Sequence, residues 1–198
     1  MKEIVTAEDV MAVPPGGEIS ASPGAVVTPW ARELAATRGV RIQQGPIRDG
    51  AAVVAVGADH GGFPIKEKVK GILTRLGHRF LDLGTFSTEP VDYPDLALAV
   101  ALKVSRGEAR FGILVDGAGI GSAMAANKVP GVLAAVVIDE KAARNAREHN
   151  DANVMTLGAG YVDAARLPDI VQVFLSAECT EERHARRVAK IRAIERER

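Results

Sequence analysis

The chain has 198 residues, enough for one ordinary domain and an appendage. Hydrophobic residues make up 47% and charged residues 25%, a balance that excludes wholesale disorder. The 25 basic residues equal the 25 acidic ones, so no overall field favours nucleic acid or an anionic membrane as a partner.

The first fifty residues differ in composition and patterning from the rest of the chain. The stretch PPGGEISASPG is full of turn formers and predicts no long regular element. The stretch TPWARELAATRG predicts a short helix, capped by Thr28 and stopped by Gly39, with Trp30 and Leu34 forming an apolar stripe on one face. The segment QQGPIRDG has the composition of a linker. Residues 1–50 are therefore predicted to be an N-terminal extension that packs on its own domain, docks on a partner surface or is disordered.

Residues 51–198 show an alternation of strand and helix patterns. Apolar runs predict five buried strands, in AAVVAVGAD, HRFLDLG, FGILVDG, VLAAVVID and NVMTLGA. Five helices are predicted after these strands, and a sixth in ERHARRVAKIRAIERER. The first of them ends at Gly77, after apolar residues at helical spacing. Strand–helix repetition with short connections predicts the α/β class, namely a Rossmann-like three-layer αβα domain with a five-stranded parallel sheet.

Three groups of polar residues are placed where ligands bind in such folds, at the carboxyl ends of the strands. The groups are Asp59 with His60 after the first strand, Asp116 to Gly121 after the third, and Asp139 after the fourth. His149 with Asn150 lies just before the fifth strand and is a further candidate for the site.

Each group has a structural interpretation beside the functional one. Asp59 can cap the following helix, and His60 can be a solvated ring rather than a phosphate ligand or proton shuttle. The glycines of DGAGIG either form a tight turn or present N–H groups to an oxyanion; they are Gly117, Gly119 and Gly121. The turn is neither a full dinucleotide fingerprint nor a Walker loop, so it predicts no nucleotide cofactor.

Two further pairs are also open to both interpretations. His149 and Asn150 combine a titrating ring with an amide, and they can cap a helix end or contribute to a site. Arg183 and Arg187 are four residues apart and lie on one helix face. Two guanidinium groups so placed can clamp a phosphate, although a solvated face is the simpler interpretation.

The chain carries, in this order, the phrases GADHGGFPIKEKV, DLGTFSTEPVDYPDLA, GSAMAANKVPGVLAA, EHNDANVMTLG and ERHARRVAKI. Their order and spacing resemble the family of type B ribose-5-phosphate isomerases and the related galactose-6-phosphate isomerase subunits. The resemblance covers roughly Val53 to Glu195. It implies a homodimer or a dimer of dimers with shared active sites. It also implies the interconversion of aldose and ketose phosphates through an enediolate, without a metal or a cofactor.

The resemblance also assigns roles by position. Asp59 and His60 would contact the sugar and the phosphate, and Tyr93 would line the pocket. His149 would help to open the furanose ring, and Asn150 would bind sugar oxygens. The remaining roles are an oxyanion hole formed by the amides of Gly117 to Gly121 and a phosphate grip formed by Arg183 and Arg187.

Four positions depart from the pattern of this family. Position 116 holds a cysteine base in many members and is Asp116 here, and the glutamate that other members carry at position 122 is Ser122. The usual hydroxyl residue is replaced by Ala118, and an arginine after the fifth strand is replaced by Gly160. The base, one hydroxyl and one phosphate ligand of the family are therefore missing by alignment.

Two hypotheses explain Asp116. In the first, Asp116 is the base, since a carboxylate can accept a carbon-bound proton that lies within about 3 Å. Desolvation in a closed pocket would then raise its pKa towards a useful value. In the second, the chain is a non-catalytic homologue or partner subunit that still binds a sugar phosphate. We predict the first, an isomerase with an unusual base.

Cysteine content and apolar patterning predict a cytoplasmic protein. The single cysteine, Cys179, excludes an intramolecular disulfide and a cysteine-based zinc site, and it suits a reducing compartment. No apolar run reaches the roughly 18 residues of a membrane span. The extension more distantly resembles segments on enzymes of bacterial microcompartments, where a TP-x-A-R-E helix follows a PPGG turn. That resemblance implies a shell or cargo partner for residues 1–50 and a microcompartment as an alternative location.

Overall fold

A computed structural model describes residues 3–22, 24–44 and 52–195 of the chain. Its strands are β1 Ile4–Val5, β2 Glu18–Ala21, β3 Val26–Val27, β4 Arg41–Gln44, β5 Val53–Ala58, β6 Arg79–Asp82, β7 Phe111–Asp116, β8 Ala134–Val136 and β9 Val154–Gly158. The main sheet has seven strands in the order β4-β2-β6-β5-β7-β9-β8, and β1 pairs with β3 beside it. Strands β5 to β9 are mutually parallel, as predicted.

The helices are α1 Ala7–Met11, α2 Pro29–Arg38, α3 Phe63–Leu76, α4 Tyr93–Ser105, α5 Ile120–Ala126, α6 Glu140–Glu148, α7 Leu167–Ser176 and α8 Glu182–Ile194. Two of their predicted ends are confirmed. Gly39 and Gly77 both adopt the left-handed conformation that stops a helix, with φ of 67° and 75°. Among the described residues, no helix is long and apolar enough to cross a membrane.

The helices form one layer on each face of the sheet. Helices α3, α6 and α7 pack on one face through a core that includes Leu73, Ala143 and Phe174. Helices α4 and α5 pack on the other face together with α1 and α2, around residues such as Val10 and Val100. The predicted three-layer αβα class is therefore confirmed.

The prediction of five strands is wrong for the whole chain, because the extension adds two strands to the sheet. Strand β2 runs antiparallel to β6, with Glu18 opposite Asp82, and β4 pairs parallel with β2. The short segment EISA within PPGGEISASPG is long enough to form β2, which lies between β4 and β6. The described part of the extension thus packs on its own domain. Residues 45–50, which hold most of the predicted linker, lie outside the described residues.

The expected apolar stripe of α2 is divided between the core and the outer face. Ala31 and Ala35 are buried, and Leu34 is half-buried and packs on the same core cluster. Trp30 instead points outward and is 65% exposed.

A buried group of charges joins the extension to the domain. The carboxylate of Glu18 lies 2.9 Å from Lys70 Nζ, which also contacts Asp82 at 2.8 Å, and Lys66 Nζ lies 2.6 Å from Asp82. Burial would lower the pKa of Lys70, but its bonds to Asp82 and Glu18 outweigh burial and raise the pKa to about 12. Glu18 is 1% exposed, so its charge depends on these partners.

Candidate functional site

Asp59 and His60 lie at the carboxyl edge, the edge of the sheet at which the parallel strands β5 to β9 end. The Asp59 backbone N–H donates to Val115 O at 3.1 Å, which ties the end of β5 to β7. One carboxylate oxygen of Asp59 accepts from Gly62 N at 2.7 Å and shapes the turn into α3. A Cβ at Gly62 would lie 2.2 Å from Val115 O, so only glycine lets the turn approach this closely. Part of Asp59 therefore serves the structural role that the sequence left open.

His60 and Tyr93 lie at the same edge of the sheet. His60 Nδ1 lies 3.2 Å from Val91 N, two residues before Tyr93 opens α4. The Tyr93 ring covers Gly121, where an added Cβ would lie 2.5 Å from the nearest ring carbon. Asp59, His60, Tyr93 and the glycine loop are therefore brought together in one chain.

Asp116 fills the inside of the glycine loop. Its carboxylate accepts hydrogen bonds from Ala118 N at 2.8 Å, from Ser122 N at 3.0 Å, and from Gly119 N. The residue is 4% exposed. Asp116 thus binds the concave backbone that an external oxyanion would otherwise use.

The electrostatics of Asp116 are opposite to the expectation. Burial would raise the pKa of this carboxyl group, but bonds from the Ser122 hydroxyl and from three backbone N–H groups outweigh it. The pKa of Asp116 consequently lies below its usual value. The predicted upward shift is therefore wrong. Four donors also fill the roughly four lone-pair positions of a carboxylate.

The predicted oxyanion hole has fewer free N–H groups than expected. The Gly119 N–H is already bonded to Asp116, so it is not free to receive an oxyanion. Position 121 requires glycine because a larger residue would clash with Tyr93. At position 117, in contrast, an added Cβ would have no atom within 4 Å. No local pattern predicts the contact between Asp116 and Ser122, because it joins residues six apart across a turn.

His149 and Asn150 lie just before β9, as predicted, and therefore not at the carboxyl edge of their own chain. Helix α6 runs back from the end of β8 to the start of β9, because β8 and β9 are parallel. His149 caps the far end of α6 and therefore lies at the amino edge, where the parallel strands begin. Within the described residues, no hydrogen bond or ion pair links His149 to the carboxyl-edge residues.

Helix α8 lies at the same amino edge. Arg192 contacts Asp151 at 2.8 Å, and the Glu195 carboxylate accepts from Gly131 N at 3.0 Å. Both of those partners belong to connections that lead into β9 and β8. The predicted phosphate ligands Arg183 and Arg187 are exposed on this helix, and Arg183 is paired with Glu181 at 2.6 Å. The amino-edge group thus consists of His149, Asn150, Arg183 and Arg187.

Gly160 follows β9 and marks where the family carries an arginine. Its N–H donates to Gly117 O at 3.1 Å, and Ala159 N donates to Asp116 O at 2.8 Å. The position therefore supports the backbone of the glycine loop but supplies no charge. Among the described residues, no cluster of three or more His, Cys, Asp or Glu side chains is arranged to hold a metal ion.

Comparisons with known proteins agree with the class of protein that this fold and site define, an α/β enzyme acting at the carboxyl ends of its strands. The model of the Ribose/Galactose Isomerase family matches residues 54–191. Ribose-5-phosphate isomerase B of Escherichia coli is 41% identical over 145 residues, which cover 73% of this chain and 97% of that protein.

Solved structures give the same result. The ribose-5-phosphate isomerase B of Clostridium thermocellum has a TM-score of 0.71 and 45% identity, covering 73% of this chain and 98% of that one. The Mycoplasma genitalium enzyme, solved with bound ribulose-5-phosphate, has a TM-score of 0.70 and 40% identity, covering 74% of this chain and 97% of that one. The chain belongs to the ribose/galactose isomerase family and is an isomerase.

Proposed function

We propose that the protein interconverts an aldose phosphate and a ketose phosphate, with ribose 5-phosphate and ribulose 5-phosphate as the first pair to test. The observation that carries this proposal is the carboxyl-edge group, in which Asp59, His60 and Tyr93 surround the glycine loop inside the region matched by the family. The relatives named above are ribose-5-phosphate isomerases, and one of them holds ribulose-5-phosphate. The rival hypothesis of a non-catalytic homologue has no support in these comparisons.

The reaction requires ring opening and then a proton transfer between two carbons. A base removes the proton from C2 of the open aldose, and the electrons of that C–H bond form an enediolate whose charge lies on the C1 oxygen. Return of the proton to C1, with transfer of the hydroxyl proton from O2 to O1, yields the ketose with its carbonyl at C2. The enediolate needs hydrogen-bond donors placed where its charge develops. The amides of Gly117 and Gly121 remain the proposed donors, since the Gly119 amide is taken by Asp116.

Asp116 is better suited to anchor the loop than to act as the base. A general base works best when its pKa lies near the operating pH, and the pKa of Asp116 is shifted the other way. The lone pairs of its carboxylate are also occupied by hydrogen bonds from the backbone of the glycine loop. The proton acceptor is then another side chain of the carboxyl-edge group, and Asp59 and His60 are the candidates.

A complete site requires a second copy of the chain. The phosphate grip and the ring-opening histidine lie at the amino edge, whereas the remaining groups lie at the carboxyl edge. An apolar surface beside the carboxyl edge supports docking of a second copy, because four large side chains there are 39–64% exposed: Ile120, Met124, Val136 and Ile138. We propose a homodimer in which each site combines the carboxyl edge of one chain with the amino edge of the other.

We also propose a microcompartment shell or cargo protein as the partner of the extension. It is docked on the domain through Glu18, and it leaves Trp30 outward and 65% exposed. Such a partner would bind the outer face of α2, where Trp30 is exposed, and not a detached N-terminal segment.

A coupled spectrophotometric assay with ribose 5-phosphate tests the proposal. We expect turnover in the range typical of enzymes, about 1–10³ per second, and a large loss in the double variant Asp59→Asn, His60→Asn. Binding of ribose 5-phosphate without turnover of a panel of pentose and hexose phosphates would instead establish the non-catalytic hypothesis. Asp116→Asn separates the two roles of Asp116. An anchor predicts a loss of stability with residual activity, whereas a base predicts that activity vanishes in a fully folded protein.

A further inference from the structure

A second histidine lies directly beneath His149. The rings of His149 and His184 are stacked, with centroids 4.1 Å apart and an angle of 9° between their planes. His184 stands in the first turn of α8 and is 4% exposed, whereas His149 is half-buried at the end of α6. One face of the His149 ring is therefore covered by His184.

The remaining contacts of His149 hold the ring in its plane. Asn145 Nδ2 lies 3.0 Å from His149 Nδ1, one helical turn earlier on α6. Because an amide nitrogen only donates, Nδ1 is the acceptor, and a neutral ring carries its hydrogen on Nε2. Asn145 and His184 together fix the ring and leave Nε2 as its working nitrogen.

Packing alone does not account for His184. Its Nε2 is buried without a hydrogen-bond partner in the described part of the chain, and the nearest carboxylate, that of Glu181, is 3.6 Å away. A buried polar atom without a partner destabilises the fold, so an apolar ring would be the more stable choice at this position. Such an unsatisfied group in a native fold requires an explanation.

The charges that face the pair favour a neutral His184. Burial lowers the pKa of His184, and the positive charges of His149, Arg183 and Arg187 lower it further, against the attraction of Glu181. These surroundings disfavour a second positive charge in the stack.

We propose that His184 is a positioning residue, which holds the His149 imidazole at the angle and in the tautomer needed to open the sugar ring. This inference rests on the proposed function. Opening breaks the bond between C1 and the ring oxygen. The ring oxygen gains a proton, and the anomeric hydroxyl loses one and becomes the C1 carbonyl. His149 can carry this proton only if Nε2 points at the substrate, and His184 holds it there.

Two substitutions separate positioning from simple packing. His184→Phe keeps a flat ring under His149 without a titrating group, and His184→Ala removes the stack. In the aldose-to-ketose direction, we expect His184→Ala to lower kcat about 10- to 100-fold, the order expected for a misplaced catalytic group. His184→Phe should recover most of kcat at pH 7.5, because it restores a flat ring beneath His149.

The ketose offers a control within the same assay. Ribulose 5-phosphate has no furanose ring to open, so the ketose-to-aldose reaction should fall much less in His184→Ala than the forward reaction. Arg186→Ala, an exposed change on the same helix, should leave both directions unchanged. NMR of the His149 ring should show its resonances displaced in His184→Ala while the remaining amide spectrum stays native.

The results distinguish the proposals from one another. An inactive wild type overturns the proposed function. An active wild type, with His184→Ala at wild-type kcat or equally impaired in both directions, overturns the role of His184 alone.

Discussion

At the scale of single residues, Asp116 shows how one side chain can replace another without inheriting its chemistry. A carboxylate at the mouth of the glycine loop has the right reach to act on a bound sugar. It also has more acceptor positions than a thiolate, and the loop amides occupy them. Its strong hydrogen bonding is thus the reason why we propose that it anchors the loop rather than acting as the base.

We expect Asp116→Asn to lower the free energy of unfolding by about 2 kcal/mol, because a neutral amide leaves at least one buried N–H of the loop without its acceptor. Urea denaturation measures this loss. The matched control is Asp163→Asn, an exposed aspartate that accepts from Ala165 N in a similar turn, and it should cost less than about 0.5 kcal/mol. Equal losses in the two variants would contradict the anchoring role.

The stabilisation from Asp116 should also depend on pH in a definite direction. Its folded pKa is depressed, so the stabilisation is present above the unfolded value of about 3.9 and disappears as pH falls through the lower folded value. The stability gap between wild type and Asp116→Asn should therefore be constant from pH 7 to about 5 and close in strong acid. Unfolding curves recorded across this range measure the gap, and a gap that persists at the lowest pH would refute the anchor.

At the scale of elements, the glycine loop and α4 depend on each other. An alanine at 121 would press on the Tyr93 ring, whereas an alanine at 117 would meet no atom within 4 Å. We expect Gly121→Ala to displace Tyr93 and reduce kcat/KM at least about tenfold, and Gly117→Ala to fold normally with a smaller loss. Steady-state kinetics of the pair decide the matter. The contact is unimportant if Gly121→Ala is the more active variant.

The extension can be tested as an element in the same way. Glu18→Gln removes a buried carboxylate that pairs with Lys70, and we expect a cost of about 2 kcal/mol. Hydrogen exchange in β2 should also accelerate. Glu33→Gln, on the exposed face of α2, is the control and should be neutral within about 0.5 kcal/mol. Unchanged exchange in β2 after Glu18→Gln would mean that the extension is held by its apolar contacts alone.

The sequence allowed the strand–helix alternation, the helix stops at Gly39 and Gly77, and the carboxyl-edge residues Asp59 and His60 to be placed correctly. The periodicity of apolar residues and the residues that form turns are local features, so they can be recognised in one sequence. The addition of β2 to the sheet could not be predicted, because pairing of a four-residue strand depends on a distant partner. The position of His149 just before the fifth predicted strand was placed correctly as well, and a residue at such a position lies at the amino edge of a parallel sheet.

At the scale of the whole molecule, the two groups of proposed site residues lie at opposite edges of one parallel sheet. A single chain cannot bring them to one substrate without unfolding α6. A second copy, docked on the exposed apolar surface beside the carboxyl edge, can supply the missing half. Dimerisation would then be part of catalysis rather than an addition to stability.

Complementation between two inactive variants tests this account most directly. His60→Ala should inactivate the carboxyl edge, and Arg183→Ala with Arg187→Ala should inactivate the amino edge, so each homodimer alone should be nearly inert on ribose 5-phosphate. A heterodimer of the two, purified through different tags, should regain about half of the wild-type activity, because one of its two sites contains no substitution. A heterodimer as inactive as its parents would contradict the shared site.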